Sequence, residues 1–127
     1  MTHIINSLDE ISHHYDALFV DLWGCVHNGI VAYTAAVEAL IKYRKNGGKV
    51  VLVTNSPKPR IGVEKQLLHF NVPKICYDTV ATSGDSARVA MFTGVVGKKV
   101  FFIGEPRDQL FFEPVSYTHL RAHETVL

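Results

Sequence analysis

The chain has 127 residues, of which 47% are hydrophobic and 20% charged, and its formal net charge is +1 at pH 7. These values are typical of one globular domain or part of one, and they exclude the strongly basic surface of a nucleic-acid-binding protein. No apolar run reaches membrane-spanning length, and the first residues do not resemble an export signal. We therefore expect a cytoplasmic protein, with free thiols at Cys25 and Cys76.

Strands and helices are predicted to alternate along the chain, from short apolar runs that end at polar residues and from apolar residues at helical spacing. Predicted strands are Ala17–Asp21, Lys49–Val53, Tyr77–Thr82 and Lys98–Ile103. Predicted helices are a short one ending near His14, then Ala35–Lys45, Ile61–Phe70 and Ser86–Phe92. This alternation predicts an α/β fold, a Rossmann-like three-layer parallel sheet with helices on both faces.

Polar residues directly follow three of the predicted strands. Asp21 ends the first strand, Thr54-Asn55 follows the second, and Ser83-Gly84 follows the third. Because the carboxyl ends of parallel strands lie at one edge of a sheet, where ligands bind, we expect the three clusters to form one site. Taken alone, Asp21 is better explained as the cap of a turn, and one such cluster by itself indicates little.

The three clusters together suit an anionic substrate. Thr54 and Asn55 can donate hydrogen bonds to phosphate oxygens, and a helix N-terminus adds free N–H groups. Asp21 can attack phosphorus in line and form an aspartyl phosphate, which water then hydrolyses. Because two anions meet in that step, a hard cation such as Mg²⁺ is expected to bridge them.

The same residues resemble the motifs of the haloacid dehalogenase (HAD) superfamily of phosphatases. The motif Asp21-Leu22-Trp23-Gly24, the strand end Thr54-Asn55 and the later Thr82-Ser83-Gly84 are most similar to class IIA, the p-nitrophenylphosphatase-like hydrolases. The resemblance covers Tyr15 to Pro106. It implies a partial catalytic core in residues 1–106 that acts on a small phosphorylated substrate.

The resemblance also implies a role for each matching residue. Asp21 corresponds to the nucleophile, which is also a magnesium ligand, and Trp23 to the residue that gives its backbone carbonyl to the metal. Thr54 corresponds to the hydroxyl that binds the transferring phosphate, and Asn55 to the amide that faces the substrate.

Two departures from the family pattern bear on activity. Trp23 stands where the family usually has a second Asp as general acid/base, a role typically worth about 10²–10⁴-fold in rate. His27 is the nearest substitute, but we interpret it as a polar residue in a surface loop. The downstream Lys and acidic motif that the family needs have no convincing candidate, since Gly84-Asp85 comes too early and is interpreted as a helix cap.

The chain ends near the position at which class IIA proteins insert a large cap domain. Residues 107–114 are interpreted as the start of that insertion, and residues 115–127, which resemble translated adapter sequence, as a non-native tail. The sequence therefore predicts a magnesium-dependent phosphate-ester hydrolase, present as an incomplete and inactive fragment. The alternative is a non-catalytic phosphate-binding or interaction module that retains the fold. The oligomeric state is not predicted.

Overall fold

A computed structural model describes residues 1–113 of the chain. It divides into two units, Met1–Ala87 and a second unit that begins at Arg88. The predicted tail at residues 115–127, and residue 114 of the predicted insertion, lie outside the described residues.

Three parallel strands form one sheet in the first unit. They are β1 (Ala17–Asp21), β2 (Lys49–Thr54) and β3 (Thr79–Thr82). Their order across the sheet, β1-β2-β3, is also their order along the chain. The register pairs Asp21 with Val53 and Thr54 with Thr82. Asp21 and Thr54 therefore lie at the same edge of the sheet, as the sequence predicts.

The helices lie close to their predicted positions. They are α1 (Asp9–Ser12), α2 (Thr34–Lys45), α3 (Arg60–His69) and α4 (Ser83–Phe92), with 3₁₀ helices at Lys74–Cys76 and Pro106–Phe112. α4 begins three residues earlier than predicted, because Thr82 Oγ1 accepts a hydrogen bond of 2.9 Å from the N–H of Asp85 and so caps the helix. α2 stops before Gly47, whose φ of +92° ends a helix readily.

One hydrophobic core packs α2 and α3 against the same face of the sheet. Val50 and Leu52 of β2 are fully buried there, together with Leu40 from α2 and Leu67 from α3. Burial alternates along β2, as expected for a strand with one covered face. On the opposite face, Phe19 of β1 exposes 78% of its surface. The predicted parallel α/β sheet is confirmed, with these two helices on one of its faces.

The predicted strand Lys98–Ile103 is absent, so this prediction is wrong. Its apolar side chains are open to solvent, with Phe101 and Ile103 exposed by 90% and 86%. An apolar run becomes a strand only where another strand accepts its backbone hydrogen bonds, and within residues 1–113 the sheet has three strands. In the second unit, the Phe102 ring instead packs edge-on against Phe112, with centroids 5.0 Å apart.

Asp78 joins α2 to the sheet through a group of hydrogen bonds. Its carboxylate accepts the N–H of Val50 at 2.7 Å and two guanidinium nitrogens of Arg44 at 2.8 and 3.2 Å. Arg44 also donates to the carbonyl of Ile75 at 2.6 Å. The backbone N–H of Val50, and then Arg44, hold the pKa of Asp78 below its ordinary value.

We expect Asp78→Asn to lower the free energy of unfolding by about 2 kcal/mol at neutral pH, since hydrogen bonds to charged groups contribute about 1.5–3 kcal/mol. Because the folded pKa is depressed, this stabilisation is present above an unfolded pKa of about 4 and is lost as pH falls through the folded value. Urea denaturation of wild type, Asp78→Asn and the control Asp16→Asn across this range measures it. If the difference in free energy of unfolding between wild type and Asp78→Asn did not change with pH, the Asp78 carboxylate would not be the source of the stabilisation.

Candidate functional site

The loop after β1 folds back on itself between Asp21 and Gly29. The N–H groups of residues 25–27 all donate to the Leu22 carbonyl oxygen, at 2.9 to 3.3 Å. The N–H of Gly24 donates to the carbonyl oxygen of His27 at 2.9 Å and closes the loop. The backbone of this loop is therefore held in one arrangement.

Asp21 and the backbone carbonyl of Trp23 are available as oxygen ligands. Asp21 is exposed, and its Oδ1 accepts the N–H of Leu22 at 2.8 Å. Within residues 1–113, no backbone N–H donates to the Trp23 carbonyl, whereas the carbonyls of Leu22 and His27 both accept hydrogen bonds. These oxygens are the ligand type that Mg²⁺ prefers, so the loop fits a magnesium ion.

The described residues contain no cluster of three or more His, Cys, Asp or Glu side chains that could hold a metal ion. Mg²⁺ is commonly bound by one or two carboxylates, with waters and substrate phosphates as the other ligands. If Mg²⁺ bound here, Asp21 and the Trp23 carbonyl would therefore provide part of such a set. Water and a phosphate oxygen would complete it.

The indole of Trp23 lies over Gly29. An ideal Cβ at Gly29 would come within 2.7 and 2.8 Å of two ring carbons of Trp23, and its φ of +86° also favours glycine. Trp23 is the single tryptophan of the sequence. Its fluorescence emission therefore reports this loop alone.

His27 is buried, so its interpretation as a polar surface residue is wrong. Only 3% of its surface is exposed, and its Nδ1 accepts the N–H of Gly29 at 3.0 Å. Its ring packs against Phe70 and Trp23, with centroids 4.8 and 5.5 Å away. Burial lowers the pKa of His27, and the nearby Asp21 partly opposes this effect. The neutral imidazole therefore supports the loop from inside.

We expect His27→Phe to lower the free energy of unfolding by about 1.5 kcal/mol, because the ring contacts persist while the Gly29 N–H loses its acceptor. The emission maximum of Trp23 should shift as well. Chemical denaturation and fluorescence spectra measure both effects, with His14→Phe, at an exposed position in the turn after α1, as the control. Unchanged stability and emission would show that the hydrogen bond is dispensable.

A cavity of about 270 Å³ opens between the loops that follow β1 and β2. It brings together three of the predicted site residues, Trp23, Thr54 and Asn55. Thr54 is the buried last residue of β2, and its Oγ1 accepts the N–H of Ser56 at 3.2 Å. Asp21 is not among the lining residues. Asp21 and the cavity thus lie at the same edge of the sheet, but Asp21 is outside the cavity.

The third predicted cluster packs against the loop after β2. The N–H of Gly84 donates to the carbonyl oxygen of Ser56 at 3.1 Å. Asp85 Oδ2 accepts the N–H of Arg60, the first residue of α3, at 2.9 Å. The prediction that Asp85 caps the fourth helix is therefore wrong, because Thr82 caps α4 and the Asp85 carboxylate accepts an N–H at the start of α3. The cluster therefore supports the site and does not line the cavity.

The chain matches the family model described as haloacid dehalogenase-like hydrolase over residues 18–118. The protein belongs to the haloacid dehalogenase-like hydrolase family. Its fold is similar to the crystal structure of a hydrolase of that family from Brucella suis 1330, with 37% identity and a TM-score of 0.76. That match covers 87% of this chain and 41% of the other, so this chain spans less than half of its length. No curated protein matches significantly.

Membership of the HAD-like family confirms the predicted resemblance and, with the structural similarity, the Rossmann-like fold class. None of the helices in residues 1–113 is both long and apolar enough to span a membrane. One candidate site residue was not predicted from the sequence. Lys58 lines the cavity beside Thr54 and Asn55.

Proposed function

We propose that the protein is a class IIA, magnesium-dependent phosphate-ester hydrolase with Asp21 as its nucleophile. One observation carries this proposal above the others. The exposed Asp21 carboxylate lies on one closed loop with the Trp23 carbonyl, which accepts no backbone N–H within residues 1–113, and Trp23 also lines the cavity with Thr54 and Asn55. The residues that we propose as nucleophile, metal ligand and phosphate-binding groups thus all follow strands at one edge of the sheet.

Each residue has a distinct part in the proposed reaction. Asp21 forms a bond to phosphorus as the ester P–O bond breaks, and water then cleaves the aspartyl phosphate. The Oγ1 of Thr54 accepts the N–H of Ser56, so its hydroxyl proton can be donated to a phosphate oxygen. When bound, Mg²⁺ reduces the repulsion between the carboxylate and the phosphate. Since Trp23 offers no acid, the leaving alkoxide takes its proton from water, and good leaving groups are favoured.

The 127-residue chain is expected to bind phosphate but to turn over esters slowly. Within residues 1–113, Asp21 and the Trp23 carbonyl account for only part of a metal-ligand set. Steady-state assays of the chain with p-nitrophenyl phosphate and Mg²⁺ test this expectation. Rapid magnesium-dependent turnover by the chain would show that its metal site is sufficient.

We expect Thr54→Val to weaken the binding of inorganic phosphate by about tenfold, because a buried hydroxyl donor is replaced by a methyl group of similar size. Titrations with phosphate in the presence of Mg²⁺, followed by Trp23 emission, give the dissociation constants. Thr34→Val, at the exposed start of α2, is the control. Equal affinity in wild type and Thr54→Val would remove Thr54 from the site.

Trp23 supports a second candidate function, a phosphate-binding or interaction module without catalysis. It occupies the position at which the family usually has a general acid. Saturable phosphate-ester binding without turnover, in the longest product of the gene, would favour this module. Re-sequencing the gene beyond the codon of Glu113 identifies that product. For either function, we propose a small phosphorylated partner in the cytoplasm.

A further inference from the structure

Lys58 stands out among the residues that line the cavity. It is the only charged side chain in the lining within the described part of the chain, and no Asp or Glu contributes to it. Among residues 1–113, no carboxylate pairs with Lys58, whereas Lys42, Arg44 and Lys74 each pair with one. Among the described residues, the cavity lining therefore contains one positive charge, that of Lys58, and its other side chains are uncharged.

The backbone around Lys58 is held firmly. Prolines on both sides restrict it, and its N–H donates to Ser56 Oγ at 3.2 Å. On the other side, an ideal Cβ at Gly84 would come within 2.7 Å of the Lys58 carbonyl oxygen, which shows how closely α4 approaches this loop. The position of Lys58 relative to Thr54 is therefore set by the fold.

The side chain of Lys58 also lies along α3. An ideal Cβ at Gly62 would lie 3.7 Å from Lys58 Cβ and 3.9 Å from its Cδ, so the aliphatic stem passes beside this glycine. Long basic side chains commonly rest their stems on the protein surface and keep the ammonium group in water. The stem of Lys58 therefore lies beside the first turn of α3, next to the cavity.

We propose that this cavity binds the leaving group of the ester, and that Lys58 selects leaving groups that carry a second anion. This inference rests on the proposed function, because Thr54 and Asn55 must hold the phosphate. The cavity volume of about 270 Å³ is near the lower limit of ordinary ligand pockets, which begin at about 300 Å³. The substrate class is therefore a short phosphate ester with a carboxylate or a second phosphate on its alcohol.

Glycerol 3-phosphate and 3-phosphoglycerate provide a matched pair of probes. They share a three-carbon skeleton, and 3-phosphoglycerate has a carboxylate in place of a hydroxymethyl group. Their dissociation constants are measured with Mg²⁺ by Trp23 emission, or by calorimetry. We expect wild type to bind 3-phosphoglycerate about fivefold more tightly, because one ion pair near the surface contributes at most about 1 kcal/mol.

Three variants test the assignment to Lys58. Lys58→Met should remove the preference for 3-phosphoglycerate, whereas Lys58→Arg should retain it. Lys65→Met, at an exposed position of α3, is the matched control and should bind as wild type does. Added salt should reduce the wild-type preference, since a partly exposed ion pair is screened.

The outcomes separate this inference from the proposed function. Equal affinity for the two esters in wild type, or a preference that survives in Lys58→Met, would overturn the role of Lys58 while leaving phosphate binding intact. If neither ester nor inorganic phosphate bound with Mg²⁺, both proposals would fail.

Discussion

Asp21→Asn should abolish phosphate-ester hydrolysis, with a fall in kcat on the order of 10⁴-fold or more, because an amide cannot replace a carboxylate nucleophile. The substitution keeps the size of the side chain and an oxygen that can accept the N–H of Leu22. The loop should therefore remain folded. The rate is measured with p-nitrophenyl phosphate and Mg²⁺ in the longest product of the gene.

Asp16→Asn is the matched control for this experiment. Asp16 precedes β1, at the end of the strand away from the site, and is also exposed. The same chemical change there should leave kcat within about twofold of wild type, as expected for a surface substitution. Substantial hydrolysis by Asp21→Asn, with Asp16→Asn equally active, would show that another group attacks phosphorus.

Gly84→Ala should give the largest loss of stability among our proposed variants, about 3 kcal/mol. A Cβ at Gly84 would come within 2.7 Å of the Lys58 carbonyl oxygen and closer still to that of Pro57. Both neighbours are backbone atoms, so the loop after β2 has to move, and overpacking of this kind typically costs about 1–3 kcal/mol. The hydrogen bond from Gly84 to Ser56 should lengthen as well. Chemical denaturation measures the change.

Gly62→Ala is the control, because it should change stability in the opposite direction. Gly62 lies inside α3, and a Cβ there meets Lys58 only at ordinary contact distances. Alanine is favoured over glycine in a helix by about 1 kcal/mol, so this variant should be slightly more stable than wild type. If both alanine variants were stabilised, the close approach at Gly84 would be unimportant.

Local patterns were sufficient to predict most of the fold. An abrupt change from apolar to polar residues marks the end of a buried strand, and the predicted ends of β1 therefore agree with the structure. β2 extends one residue further than predicted. β3 is two residues shorter than predicted, because Tyr77 and Asp78 lie outside its ladder. The run at Lys98–Ile103 has the same apolar character, but a strand also requires a hydrogen-bonding partner.

The site was predicted less completely than the fold. Asp21 and Thr54 were identified because they end strands, and that property can be read locally. The burial of His27 depends on Phe70, which is distant in sequence, and on the return of the loop to Gly29. Lys58 was overlooked because nothing in a Pro-Lys-Pro segment indicates that it borders a cavity. Both of these roles depend on how separate segments pack together.

The matching order of β1, β2 and β3 in the sheet and along the chain has a consequence for folding during synthesis. Each strand pairs with the one that left the ribosome immediately before it. Within residues 1–113, these three strands can therefore pair one after another in the order of their synthesis. Once β2 has left the exit tunnel, β1 and β2 can pair while α2 packs against them, before β3 is released.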